Sequence, residues 1–101
     1  MPITCTSEDR VLTAQITGEV DHHSAKTMMG ELDRQIALAM PRRLTLDLSG
    51  VTFMDSSGIA VLLRAWRRVE ELSGEMEVTG VPEQPGKVLR AAGVDRLIPF
   101  R

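Results

Sequence analysis

From Leu44 to Ile59 the chain reads Leu-Thr-Leu-Asp-Leu-Ser-Gly-Val-Thr-Phe-Met-Asp-Ser-Ser-Gly-Ile, and its apolar period changes partway through. Leu44, Leu46 and Leu48 alternate with polar residues, and Val51, Phe53 and Met54 continue the apolar content, which predicts an inner strand. From Ile59 onward, Ile59, Leu62, Leu63, Trp66, Val69 and Leu72 recur at three- and four-residue spacing, which predicts a helix with one stripe on a core. Ser56-Ser57-Gly58 lies between the two and caps the helix. Backbone N–H groups without intrahelical partners, together with the positive end of the helix dipole, favour negative charge at such a turn by about 0.3–1 kcal/mol when exposed. A phosphoserine fits there.

The rest of the chain builds around this unit. Ile3 to Thr6 and Val11 to Thr17 read as a hairpin, with Ser7-Glu8-Asp9-Arg10 as its polar turn and Gly18 as its end. Asp21 is placed to cap a helix whose apolar positions Ala25, Met28, Met29, Leu32, Ile36 and Met40 precede a stop at Pro41. After the second helix, Ser73-Gly74 is a stop, Met76 to Thr79 a short strand, Pro82 to Pro85 a turn, Gly86 to Ala92 a short helix ended by Gly93, and Arg96 to Phe100 a last strand. Strands alternating with helices imply parallel pairing through right-handed crossovers. The expected fold is therefore an α/β sheet with an antiparallel edge from the first hairpin.

Asp55-Ser56-Ser57-Gly58 after a leucine-rich strand resembles the phosphorylation turn of STAS-domain anti-sigma factor antagonists. Gly18-Glu19-Val20-Asp21-His22-His23-Ser24-Ala25 is similar to a second segment of the sporulation-type members, in the corresponding place before the first helix. Two separated motifs in register, with a matching order of strands and helices, extend the resemblance over nearly the whole chain. It implies the STAS fold, a mixed and mostly parallel sheet with an N-terminal antiparallel hairpin and helices packed on it. A single domain over residues 1–101 is expected. The resemblance further implies phosphorylation at Ser56, with Asp21, His22, His23, Asp55, Ser57 and Gly58 on the partner-binding face. The implied partners are an anti-sigma factor that is also an ATP-dependent serine kinase, and a metal-dependent serine phosphatase. ATP and metal belong to those partners, and no cofactor is expected in this chain. The alternative is a STAS interaction module of another signalling scaffold or of a transporter assembly. Members usually carry a further C-terminal helix, whereas this sequence closes at Arg101 directly after its last expected strand. Either the sequence is a truncated piece, a partner or a second copy covers the sheet surface left bare, or the domain manages with a thinner cover; a monomer or weak dimer is expected.

Each of these residues also has a plainer reading. Ser56 is suited to cap a helix by accepting a backbone N–H, and the resemblance is what favours the phosphosite. Asp55 is either a turn residue satisfying backbone donors, a docking contact, or the group that orients the acceptor hydroxyl. Gly58 gives room either to a close partner or to the backbone of the turn. Arg64, Arg67 and Arg68 form a basic side of the helix, explained by solvation or by acidic groups on a partner.

Composition excludes several classes. A net charge of −2 gives no basic footprint for nucleic acid, and with only Phe53, Trp66 and Phe100 as aromatics there is no stacking platform for bases. No apolar run approaches the roughly 18 residues of a membrane span. Cys5 is the single cysteine and forms no internal disulfide, so a cytoplasmic location is expected. Adjacent histidines point in different directions and lack the convergent third ligand of a catalytic zinc. Around Ser56 there is no Gly-x-Ser-x-Gly nucleophile elbow and no phosphate-binding Gly-x-x-x-x-Gly-Lys loop, so a binding function is expected rather than an enzyme.

Overall fold

The computed structural model describes residues 2–101. Strand β1 (Ile3–Glu8) and strand β2 (Val11–Val20) form the antiparallel hairpin; helix α1 (Ala25–Ala39), strand β3 (Arg43–Met54), helix α2 (Ser57–Glu71), strand β4 (Glu75–Thr79), helix α3 (Glu83–Ala91) and a short helix α4 (Val94–Leu97) follow. The sheet order is β1-β2-β3-β4, with β2, β3 and β4 mutually parallel. This is the mixed sheet that the alternation of elements implied.

One face of the sheet is apolar because of strict alternation along each strand. Leu12, Leu44 and Met76 stand in one row across β2, β3 and β4, and Ala14, Leu46 and Val78 in the next; all six are buried. Met28, Leu32 and Ile36 of α1 and Val61, Leu62, Ala65 and Val69 of α2 complete the core. The stripe of α2 is rotated slightly from expectation: Ile59, Leu63, Trp66 and Leu72 lie on its half-buried flank. The opposite face of the sheet is polar. Thr6, Thr13, Thr45 and Glu77 make one row, and Thr4, Gln15, Asp47 and Thr79 another. Thr4, Thr6 and Gln15 on this face are exposed, whereas parallel strands are ordinarily covered on both faces.

Several boundaries differ from the sequence reading. The hairpin turn narrows to Asp9 and Arg10, which both take positive φ (52° and 63°) as a two-residue turn matched to strand twist requires, so Ser7 and Glu8 remain in β1. Gly18 does not end β2. It sits at φ 87° beside a register shift, and pairing resumes with Glu19 opposite Phe53 and Val20 opposite Met54. Two such shifts let β3 carry two more residues than β2 over the same span, which bends the strands and brings both of their ends to one place. Pro82 to Pro85 is not a separate turn. Pro82 is the N-cap of α3 and Pro85 lies in its first turn, where a missing N–H leaves no intrahelical bond unmade. At the end of α2 the left-handed residue is Ser73 (φ 58°), while Gly74 lets the chain pass close to Val69 and the Pro41 and Arg42 carbonyls.

The last expected strand, Arg96 to Phe100, is mostly absent. Residues 94–97 form α4, and pairing with β4 is reduced to a parallel bridge between Val78 and Phe100. Pro99, which has no N–H to donate, accepts from Val78 N–H through its carbonyl, and Arg101 N–H donates to the Val78 carbonyl.

Leu46 is fully buried while its neighbour Thr45 faces the polar side. Leu46→Ala is expected to cost about 2–5 kcal/mol, and Thr45→Ala no more than about 1 kcal/mol, in urea unfolding followed by circular dichroism.

Candidate functional site

The carboxyl-terminal ends of β2 and β3 lie side by side, and the two motif segments begin where those strands stop. Asp55 N–H donates to the Val20 carbonyl at 3.0 Å, closing the β2–β3 ladder. The Asp55 carboxylate then accepts two backbone N–H groups. Oδ1 takes Ser57 N–H at 2.7 Å, and Oδ2 takes His22 N–H at 3.1 Å, from a residue 33 positions earlier. One side chain thus ties the turn before α2 to the turn before α1. Of the roles open to Asp55, the structure shows satisfaction of backbone donors, on both turns at once.

The turn before α1 is organised by Asp21 and Ser24. Asp21 Oδ1 accepts from His23 N–H and Ser24 N–H, each at 3.0 Å, the geometry of an N-cap one turn ahead of the regular helix. The Ser24 hydroxyl donates to the Glu19 carbonyl at 2.9 Å and accepts Asp21 N–H at 3.1 Å. These hydrogen bonds favour the ionised carboxylate, with the one from Ser24 N–H first, and hold Asp21 below the usual carboxylate range. His22 and His23 are exposed, and their rings do not diverge: they stand edge to face with centroids 5.8 Å apart. Among the described residues, no group of three His, Cys, Asp or Glu side chains is arranged to hold a metal ion.

Ser56 is the N-cap residue of α2 by position, yet its side chain makes no capping hydrogen bond and the residue is exposed. Asp55 has taken over that task. The first-turn N–H groups expected to be open to an anion are already used: Ser57 N–H by Asp55 Oδ1, Gly58 N–H by the Asp55 carbonyl and Ile59 N–H by the Ser56 carbonyl. The Ser56 hydroxyl therefore carries no hydrogen bond of the folded chain, on an exposed residue of a turn held together by Asp55. Gly58 is buried, and a Cβ there would collide with the Met54 side chain. Its small size serves packing of the first turn of α2 on the end of β3, so any effect on a partner is exerted from beneath.

Sequence reasoning missed Gln84. Its side-chain amide accepts Met54 N–H at 2.8 Å and donates to the Met54 carbonyl at 2.7 Å, gripping the residue just before Asp55. Nothing in local sequence pattern links two positions so far apart. The arginines of α2 also differ from expectation. Arg64 pairs with Asp33 of α1 at 2.7 Å, and Arg68 approaches the same carboxylate at 3.4 Å, so these two cations join α1 to α2. Arg68 Nε lies near Asp33 Oδ1 without hydrogen-bond alignment, and the pairing runs chiefly through Oδ2. Hydrogen bonding to Asp33 raises the Arg64 pKa above its ordinary value. A groove of about 250 Å³ lined by Arg43, Trp66, Met76 and Leu97 lies at the opposite end of the sheet from Ser56.

A four-stranded mixed sheet with an exposed serine turn at the end of an inner strand defines a small α/β domain built to present that turn. The chain belongs to the STAS domain family, whose model matches residues 3–101. It is 30% identical over 90 residues to the anti-sigma F factor antagonist of Paenibacillus polymyxa, covering 89% of this chain and 77% of that relative. In fold it is similar to the anti-sigma factor antagonist SpoIIAA in its unphosphorylated form, with a TM-score of 0.83 at 20% identity over 98% of this chain and 87% of that one. It is likewise similar to the Bacillus SpoIIAA in the phosphorylated form, with a TM-score of 0.74 at 20% identity over 98% and 90% of the two chains.

Two outcomes follow from this geometry. Asp55→Ala is expected to destabilise the protein by about 1–2 kcal/mol because two backbone donors lose their acceptor, while Ser56→Ala stays within about 0.5 kcal/mol, both measured by denaturant unfolding. Because the folded-state pKa of Asp21 is depressed, its contribution is present above the unfolded value and is lost as pH falls through the folded one. The stability difference between wild type and Asp21→Asn is therefore expected to be constant near neutrality and to close below about pH 4, read from unfolding curves across pH.

Proposed function

We propose that this protein is an anti-sigma factor antagonist, a single cytoplasmic STAS domain over residues 1–101 that is a substrate and binding partner rather than a catalyst. In its unphosphorylated form it binds an anti-sigma factor with serine kinase activity and so frees a sigma factor. The observation that carries this reading is the exposed Ser56 hydroxyl, relieved of any capping role and set on a turn lashed to the Asp21–His23 segment by Asp55. Membership of the STAS family and likeness to an anti-sigma F factor antagonist support it. The two turns form one continuous surface, and Asp21, His22, His23, Asp55, Ser57 and Gly58 contribute to it, some by contact and Gly58 by its packing.

Phosphorylation has a direct physical consequence at this position. The Ser56 oxygen attacks the γ-phosphorus of ATP held by the kinase, ADP leaves, and the hydroxyl proton is released. The product adds about −1.5 to −2 charges at neutral pH beside Asp55. With the N–H groups of Ser57, Gly58 and Ile59 occupied, few backbone donors are left to hold the phosphate, which faces the docked partner. A loss of about 2.7 kcal/mol weakens binding a hundredfold, and one desolvated phosphate against a complementary surface supplies that much. A metal-dependent serine phosphatase hydrolyses the ester and resets the protein.

The test is incubation with the anti-sigma kinase encoded in the same genome and ATP, with peptide mass spectrometry to locate phosphate and calorimetry to measure binding. Phosphate on Ser56, absent from Ser56→Ala, and an affinity lowered about a hundredfold or more are expected. Binding without any phosphate would make the chain a STAS interaction module under other control. Absence of binding would remove the sigma pathway altogether.

A further inference from the structure

Strand β4 ends at Thr79, opposite Asp47, so the last stretch of β3 has no neighbouring strand on that side. Gln84 fills the role of one at the most consequential point. Its amide makes both hydrogen bonds that a paired residue would make to Met54, at 2.8 and 2.7 Å. On the other side, Asp55 N–H reaches the Val20 carbonyl at 3.0 Å. The Met54–Asp55 peptide is thereby held from two directions, its carbonyl by Gln84 and its N–H by β2. The Met54 side chain is fully buried and lies under Gly58, so fixing Met54 fixes the start of α2 as well. Gln84 itself is exposed, while its two hydrogen bonds to Met54 are half-buried.

We propose that Gln84 is a positioning residue for the serine-bearing turn, setting where the Ser56 hydroxyl stands when a kinase engages it; the role in phosphorylation rests on the reading of Ser56 as acceptor. A near-attack arrangement of nucleophile and phosphorus depends on placement to within about an ångström, so a loosened turn lowers the rate of transfer more than it lowers docking. The group that confers this precision comes from α3, outside both sequence motifs.

Two variants separate positioning from simple packing. Gln84→Met keeps the length of the side chain and removes both polar contacts. Gln84→Glu at pH 7 still accepts Met54 N–H but sets a carboxylate oxygen against the Met54 carbonyl; protonated below about pH 4, it regains a donor. Amide hydrogen exchange by NMR is read on the whole protein, as protection factors relative to wild type at the same pH. Protection of Met54 and Ser57 is expected to fall about tenfold in Gln84→Met, with Leu46 unchanged; in Gln84→Glu at pH 7 Met54 keeps its acceptor while Ser57 loses protection, which recovers in acid for this variant only. With the same-genome kinase and ATP, kcat for Gln84→Met is expected to fall about tenfold while KM moves less than about threefold. Unchanged protection at Met54 in Gln84→Met, failure of Ser57 to recover in Gln84→Glu, or loosened amides with an unaltered kcat would each overturn the assignment. If wild-type protein receives no phosphate, the reading of Ser56 falls, and the exchange data alone decide whether Gln84 positions the turn.

Discussion

The Asp55 carboxylate is the constraint on which the site depends. A strand end, a helix start and a turn from a different part of the chain all meet at its two oxygens, which accept Ser57 N–H and His22 N–H. A half-buried backbone donor left without an acceptor is costly, and Asp55 satisfies one in Ser57 N–H while also holding the exposed His22 N–H. The two motif segments are consequently a single surface. Because Asp55 performs the capping, Ser56 is spared it, and a residue that ordinarily helps to start a helix is left with its hydroxyl free.

The rest of the fold brings the relevant ends together. The register shifts in β2 and β3 carry both strands to the same level, so that Val20 reaches Asp55. Behind them, α1 and α2 lie against one face of the sheet and are joined by Asp33 with Arg64 and Arg68. Both helices begin at the site, and this contact adds to the packing that aligns them. Ion pairs with half-exposed arginines contribute little stability.

Much of this architecture was legible in the chain. Leu44, Leu46 and Leu48 announced an inner strand with one buried face, and the change of period at Ile59 located α2. Ser56 and the Asp21–His23 segment stood out as a pair because both motifs occur in register. Other features were hidden for physical reasons. Gly18 normally breaks a strand, but a left-handed residue at a register shift allows pairing to continue. Pro85 suggests a turn, yet the first turn of a helix accepts proline without loss. The bond from Asp55 to His22 and the grip of Gln84 on Met54 join positions 33 and 30 residues apart, and periodicity says nothing about contacts made across folded space. Arg64 and Arg68 read as a solvated or partner-facing side, and the same limit hid the acidic group they meet within the chain, Asp33.

A hydroxyl that carries no hydrogen bond of the fold makes residue 56 a permissive position. The turn is tied by Asp55 and not by Ser56, so a change of that one side chain leaves the hydrogen bonds of both turns in place. Chemistry at the exposed tip is thereby uncoupled from folding, and the surface there can vary at little cost in stability.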